Sequence, residues 1–131
     1  MFSLKPALTL HLLTELPASL SFLLTPTSQL PGATPDATLI LHNLGGLLLA
    51  TNLMCMVLLL TQHDEKNDRL AAMLCLCLGT YHVWPLRRAG VRMRRMIGEK
   101  VVVLGGPRVH FVVHLVCLVV MLGSGVLGLM E

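Results

Sequence analysis

Histidines and a single glutamate stand at helical spacing within apolar segments, and their types suit proton transfer or metal binding. His11 and Glu15 are four residues apart, as are His110 and His114, so each pair lies on one face of a helix. Ionisable residues are costly inside a membrane span and by default suggest a function there. A buried carboxyl group beside an imidazole can act as an acid–base pair, and paired imidazoles can hold a divalent metal.

Three interpretations remain open for these polar side chains. The first is a hydrogen-bonded polar core that fixes helix register, with Tyr81, Asn43 and Asn52 as partners. The second is a ligand or catalytic site without metal, in which Glu15 and His82 act as acid and base. The third is a metal or haem site. The predicted ligand-binding residues are His11, His42, Asn43 and Tyr81, and the predicted metal pair is His110 and His114, completed by His42, His82 or Glu15.

Three of these histidines are expected at nearly one depth. At about 1.5 Å of rise per residue, His42, His82 and His114 lie roughly 6–9 Å from the same membrane boundary, with Glu15 about one turn deeper. In each predicted helix the histidine shares a face with small residues, which allow membrane helices to pack closely. The spacing therefore predicts that these side chains point into the protein.

The composition places these residues in a membrane protein. Of 131 residues 54% are hydrophobic and only 13% are charged, and the mean hydropathy is +0.74. An ordinary soluble domain carries about 25% charged residues. This excludes a soluble single domain, a disordered chain, a collagen-like chain and a disulfide-stapled secreted module.

Four apolar segments predict an all-α integral membrane four-helix bundle in one domain, 1–131. About 20 residues cross the hydrocarbon layer, and all four segments are near that length. Glu15 and Pro17 interrupt the first, which could also be a signal peptide with Lys5 as its basic region; four spans are preferred. The expected spans are 7–25, 37–61, 69–86 and 108–130, with a basic loop at 87–107 after Pro85.

Charge predicts the orientation. The basic loop and its boundary carry seven arginines and lysines, against three on the opposite side, so the loop is expected in the cytosol and both termini in a lumen or outside. Its residues 91–97 can form a short interfacial helix. The loop is either a topology determinant contacting anionic headgroups or a binding surface for a phosphorylated ligand or an acidic partner.

The expected partner is the lipid bilayer, and a membrane protein partner or a second copy remains open. The net charge of +3 and the absence of aromatic residues among the basic ones argue against nucleic-acid binding. No C-x-x-C pair occurs, so the four cysteines are read as packing residues. No nucleotide or hydrolase motif is present, and no cofactor is predicted apart from the open metal or haem interpretation.

Short stretches carry a resemblance to known membrane proteins. They are Glu15-Leu-Pro17, Phe22-Leu-Leu-Thr-Pro26, Leu41-His-Asn-Leu-Gly-Gly-Leu-Leu-Leu49 and Tyr81-His-Val-Trp-Pro-Leu-Arg-Arg88. With their layout, the chain resembles the small four-helix membrane proteins of the DoxX-like families over nearly its whole length. A second similar group is the anthrone oxygenase-like membrane proteins of polyketide pathways. The resemblance implies the fold, and it assigns no site residue.

The function expected from the sequence is small-molecule handling, or support of a membrane enzyme system, at a histidine-lined cavity opening toward the basic loop. One alternative is a small membrane enzyme of lipophilic or secondary metabolism that uses Glu15 and a histidine as acid and base. Another is a structural or assembly subunit of a membrane complex. Whether the protein is an enzyme is left open.

Overall fold

A computed structural model describes residues 4–61, 64–95 and 106–130. All regular secondary structure within these ranges is helical, which agrees with the all-α prediction. The helices are α1 Lys5–Leu24, α2 Pro26–Gln29, α3 Pro35–Leu60, α4 Glu65–Tyr81, α5 Val83–Arg95 and α6 Gly106–Met130.

Local sequence signals account for where α3 and α4 begin. Thr34 caps α3 by accepting a hydrogen bond at its side-chain oxygen from the Ala37 N–H (3.2 Å), and Pro35 occupies the first helical position, where no N–H is needed. Asp64 caps α4 in the same way, accepting from the Asn67 N–H at 2.8 Å. Gly32, at φ +72°, provides the left-handed turn between α2 and α3.

Three helices, α1, α3 and α6, are long and apolar enough to cross a membrane. They correspond to the first, second and fourth segments predicted from the sequence. α4 has only 17 residues and begins with a charged run, Glu65-Lys-Asn-Asp-Arg69. The length and composition of α4 therefore do not show that the third predicted segment, 69–86, crosses a membrane.

Many large apolar side chains are exposed, and several polar side chains are buried beside the hydrophobic core. Leu13, Leu24 and Leu60 expose 68%, 75% and 81% of their surface, whereas Glu15 exposes 1%. The other buried polar residues are His11, Ser19, Asn52, His82, His114 and Ser124. Exposed leucines in such number, together with a buried carboxyl group, are typical of helices that lie in a lipid environment.

The helices pack as two antiparallel pairs. α1 lies against α3, with Phe22 and Leu23 next to Gly45 at one end and Leu8 near Leu58 at the other. α4 and α5 together run along α6. α1 also contacts α6, so the two pairs meet along that seam.

Glycines bring α4 and α6 together. A Cβ added at Gly125 would lie 2.7 Å from Leu76 Cγ and 2.9 Å from the backbone oxygen of Ala72, and one at Gly79 would lie 2.9 Å from Leu122 Cδ2. The helices therefore approach more closely than larger residues would permit, as small residues allow in membrane helix pairs.

One sequence expectation about helix ends is wrong. The third segment was expected to stop at Pro85, but a new helix begins at Val83 and continues to Arg95. Pro85 lies in the first turn of α5, where a missing N–H costs no helical hydrogen bond. Of the predicted loop 87–107, residues 87–95 are helical and 106–107 open α6, while 96–105 lie outside the described residues. Residues 91–95 of the expected interfacial helix are helical.

The α4–α6 contact predicts that replacing glycine by alanine has different effects at two positions of α6. Gly125→Ala should lower the free energy of unfolding by about 1–3 kcal/mol because the new methyl group meets backbone and a packed leucine. Gly123→Ala meets nothing within 4 Å and should be neutral or stabilising by up to about 1 kcal/mol from helix propensity. Thermal unfolding in detergent compares them, and equal melting temperatures would contradict the close approach.

Candidate functional site

The inward face of α1 supplies the carboxyl group of the site. His11, Glu15, Ser19 and Phe22 are all buried and follow one another at intervals of four, four and three residues. That spacing places them in one stripe along the helix. Glu15 lies in the middle of the stripe, near the centre of a helix that is long enough to cross a membrane.

The junction between α4 and α5 supplies the second part of the site, the side chains of Tyr81 and His82. His82 stands between the two helices, and its backbone N–H donates to the carbonyl oxygens of Gly79 and Thr80. Tyr81 and His82, although consecutive, both reach side chains of α1. The His82 side chain is fully buried.

α6 supplies the third part of the site, His114, whose side chain is buried and lies in the N-terminal half of the helix. One turn earlier, His110 stacks on it, with ring centroids 6.3 Å apart and planes at 19°. This is the i, i+4 arrangement expected from the sequence, although only His114 lies on the buried side.

These side chains meet in a continuous network, here called the His–Glu cluster (His11, Glu15, Tyr81, His82 and His114). His11 Nδ1 lies 3.1 Å from His82 Nε2. His82 Nδ1 lies 3.0 Å from His114 Nδ1. The Tyr81 hydroxyl donates to Glu15 Oε2 at 3.3 Å. Three helical elements distant in sequence are thus joined through polar atoms.

The second carboxylate oxygen of Glu15 faces two imidazoles. Glu15 Oε1 lies 3.6 Å from His82 Nδ1 and 3.4 Å from His114 Nδ1. Both contacts are at ion-pair distance, and Oε1 has no hydrogen-bond partner among the described residues. An isolated carboxylate in such surroundings is costly, so its neighbours must offset its charge.

Other buried polar atoms near this depth are also without partners. Within the part of the chain that the structure describes, His11 Nε2 and both side-chain polar atoms of Asn52 make no hydrogen bond. In the antiparallel register that places Gly45 beside Phe22, Asn52 lies at the level of Glu15. A buried unsatisfied polar group costs about 1–3 kcal/mol, so this concentration calls for a cause.

The structure brings together most of the side chains expected at the site. Glu15, His11, Tyr81, His82 and His114 form the His–Glu cluster, and His110 joins its edge by stacking.

Two expected ligand-binding residues lie apart from the cluster. His42 is half-buried and Asn43 is exposed. In the α1–α3 register His42 lies level with the C-terminal end of α1, well away from Glu15. The predicted depth of His42 was wrong because it was measured from the predicted ends of the segments, as if these ends lay in one plane. The register between the helices decides which residues lie at the same level.

Some contacts of the site were not found from the sequence. The Arg88 guanidinium lies over the Phe22 ring, 5.9 Å from its centroid. Such a contact is a cation–π interaction. No sequence signal marks it, since Arg88 was placed in a loop. The Asn52 amide was noted only as a partner in a polar core, because burial without hydrogen bonds has no sequence signature.

Clefts occur on either side of the cluster. One of about 20 Å³ is lined by Gln29, Pro85, Arg88, Arg92, Pro107 and His110. Another, of about 120 Å³, lies at the opposite end, between the start of α1, the end of α3 and the start of α4. The cluster lines neither of them. Its rings instead touch one another, so the arrangement suits protons or a single ion better than an organic molecule.

Comparison of the chain with protein-family models, curated proteins and solved structures finds no match. What the protein does is therefore inferred from the His–Glu cluster and the helices around it. The cluster combines a carboxylate, three imidazoles and a phenol, which can pass protons or bind a cation.

The unpartnered Asn52 amide yields a prediction. Asn52→Leu keeps the branched shape of the side chain and removes two unsatisfied polar groups. It should raise the free energy of unfolding by about 1–3 kcal/mol. Asn43→Leu, at an exposed position of the same helix, is the matched control and should change stability much less. Chemical denaturation in detergent micelles measures both, and a destabilised Asn52→Leu protein would mean that the amide has a partner in the membrane.

Proposed function

We propose that the protein crosses the bilayer four times and handles a small polar species, a proton or an ion, at the His–Glu cluster. The observation that carries this proposal is the placement of Glu15, 1% exposed, among three buried or nearly buried imidazoles in an otherwise apolar chain. Ionisable groups inside membrane spans most often mark ion or proton pathways and binding sites.

The fourth span in this proposal is α4 with the first turn of α5. These elements pack along α6, itself long enough to cross a membrane. Their outward residues Leu70, Met73, Val83 and Trp84 are exposed and apolar. The break at His82 is tolerated in lipid because the His82 N–H still finds carbonyl partners. We also propose that the chain is a DoxX-like protein, as its short motifs suggest.

A purely structural polar core fits the cluster less well. Buried polar groups that serve only to hold helices together are normally hydrogen-bonded throughout. Here Glu15 Oε1 and His11 Nε2 have no partner among the described residues. Apolar side chains would hold the helices at lower cost, so the cluster is better explained by what it binds.

An acid–base enzyme is the first alternative, with Glu15 and His82 in the catalytic roles. A path from the Tyr81 hydroxyl through Glu15 to His114 favours it. Tyr81 donates to Glu15 Oε2 at 3.3 Å, and Glu15 Oε1 lies 3.4 Å from His114 Nδ1, a gap that a small movement would close to a hydrogen bond. His110 continues this path toward the cleft that contains Arg88 and Arg92. A substrate would then meet the cluster from that side.

An assembly subunit is the second alternative. Gly79, Gly125 and Gly128 are used inside the chain, but a Cβ at Gly46 would meet nothing within 4 Å and Ala50 is exposed. The Gly46-x-x-x-Ala50 face of α3 is thus turned outward, where it suits a partner helix or a second copy. Stoichiometric co-purification with another membrane protein after mild extraction would favour this alternative.

The proposed orientation places the basic segment 87–107 in the cytosol and both termini on the other side. An N-glycosylation acceptor inserted at the exposed Gly32 turn should therefore stay unmodified, whereas one appended after Glu131 should be glycosylated, because four spans put the two positions on opposite sides. Gel mobility with and without glycosidase reports both. Modification of both insertions, or the reverse pattern, would contradict this topology.

Glu15→Gln tests the proposed function because it keeps the size of the side chain and removes its charge. In a deletion strain of the source organism it should fail to restore the wild-type phenotype while remaining folded in the membrane. Asp36→Asn makes the same chemical change at an exposed carboxyl group at the start of α3 and should complement fully.

Stability separates this function from a structural role. If the cluster binds something, Glu15→Gln should melt at or above the wild-type temperature when both proteins are first stripped of bound ions with a chelator, since functional groups are held at a cost to stability. Full complementation by Glu15→Gln together with a lower melting temperature would contradict the proposal and support a structural polar core.

A further inference from the structure

We propose that Glu15, His82 and His114 bind a divalent transition metal ion, with tetrahedral Zn²⁺ as the best fit. This proposal rests on the proposed function and names the ion that the His–Glu cluster handles. The three residues are buried and each offers one ligand atom, all within 4.8 Å of one another. They come from α1, the α4–α5 junction and α6, so the ion would join both antiparallel helix pairs.

The three ligand atoms already lie at metal-coordination distances from a common point. Glu15 Oε1, His82 Nδ1 and His114 Nδ1 form a triangle with edges of 3.0, 3.4 and 3.6 Å. The circle through them has a radius of about 1.9 Å, slightly less than the 2.0–2.2 Å of Zn–N and Zn–O bonds. An ion about 0.7 Å out of their plane would lie at bonding distance from all three atoms, and it would replace the proton shared between His82 Nδ1 and His114 Nδ1.

The size of the triangle favours tetrahedral coordination. Bonds of about 2.05 Å separate neighbouring ligands by about 3.3 Å in a tetrahedron and by about 2.9 Å in an octahedron. The mean of the three observed edges is about 3.3 Å. Two imidazoles and a carboxylate are also a common zinc ligand set, and three protein ligands leave a fourth position for water or substrate.

The surrounding contacts are those that a metal site requires. Glu15 Oε1, the oxygen facing both imidazoles, has no hydrogen-bond partner among the residues described, whereas Oε2 accepts from Tyr81. With Nδ1 of His82 on the metal, its Nε2 carries the proton and donates to His11 Nδ1 at 3.1 Å. Hydrogen bonds of this kind orient the metal ligands and fix the imidazole tautomer.

A divalent ion would also offset the negative charge of the Glu15 carboxylate. Glu15 is the one acidic residue in the stripe of α1, and Zn²⁺ with one carboxylate and two neutral imidazoles leaves a single positive charge. The ion would compensate the buried carboxylate more fully than a neutral imidazole can. His110 is not a ligand in this arrangement: it stacks on His114 at 6.3 Å and lies outside the three-residue group.

Cobalt substitution in the full-length chain tests the proposal. The protein is purified in detergent with a tag free of histidine and cysteine, stripped with a chelator, and titrated with Co²⁺. The expected result is uptake of one Co²⁺ per chain with the intense visible bands of tetrahedral Co²⁺, which Zn²⁺ then displaces. Absence of uptake would overturn the proposal. The weak bands of octahedral Co²⁺, or displacement by Fe²⁺ but not by Zn²⁺, would overturn the tetrahedral zinc assignment.

Variants locate the site. Glu15→Gln and His114→Gln should each weaken Co²⁺ binding at least about a hundredfold, because each removes a ligand. Tyr81→Phe should weaken it about tenfold by freeing the carboxylate. The matched control is His42→Gln, at a half-buried position away from the cluster, which should bind as the wild type does. Equal binding by Glu15→Gln and the wild type would place any metal elsewhere.

The two proposals fail in different ways. If Glu15→Gln fails to complement but the wild-type protein binds no Co²⁺, the metal proposal is wrong and the proposed function stands with protons as the species handled. If Glu15→Gln complements fully and the wild-type protein binds Co²⁺ at Glu15, the metal has a structural role and the proposed function is wrong.

Discussion

Burial of the Glu15 side chain is the constraint on which the rest of the structure depends. A carboxyl group near the centre of an apolar helix is tolerated only when neighbouring helices surround it with polar groups. The His–Glu cluster supplies these from three elements, through contacts of 3.0 to 3.6 Å. The close glycine contacts between α4 and α6 and the interruption at His82 both serve to bring imidazoles within reach of one carboxylate.

The sequence predicted the members of this cluster better than their arrangement. Helical spacing identified His11 with Glu15 and His110 with His114, because four residues bring two side chains to one face of a helix. Spacing alone could not show which side of α6 is buried. His110 was therefore predicted as a metal ligand together with His114, whereas the structure places it half-buried and stacked on His114. The depth estimated from the predicted segment ends was less reliable still. It placed His42 level with His82 and His114, whereas the α1–α3 register places residues near Asn52 at that level.

The fold was predictable as far as composition and length decide it. Low charge and long apolar segments indicated helices in a membrane, and α1, α3 and α6 fit that description. Residues 91–95 were predicted as part of a short interfacial helix, but the extension of that helix back to Val83 was not predictable, because Pro85 usually ends a helix and here lies in the first turn of a new one. The position of that restart depends on how His82 packs against α1 and α6, which is tertiary information.

The division into two antiparallel helix pairs is compatible with assembly in two stages. In the proposed membrane topology, α1 with α3 and α4–α5 with α6 would each insert as a pair before the pairs associate. The carboxylate belongs to the first pair, and two of its imidazole neighbours belong to the second. In the proposed four-span topology, Glu15 would face lipid until the pairs dock. A chain halted after α3 would then carry this acid without its two imidazole neighbours, so the site would be complete only once the second pair has docked.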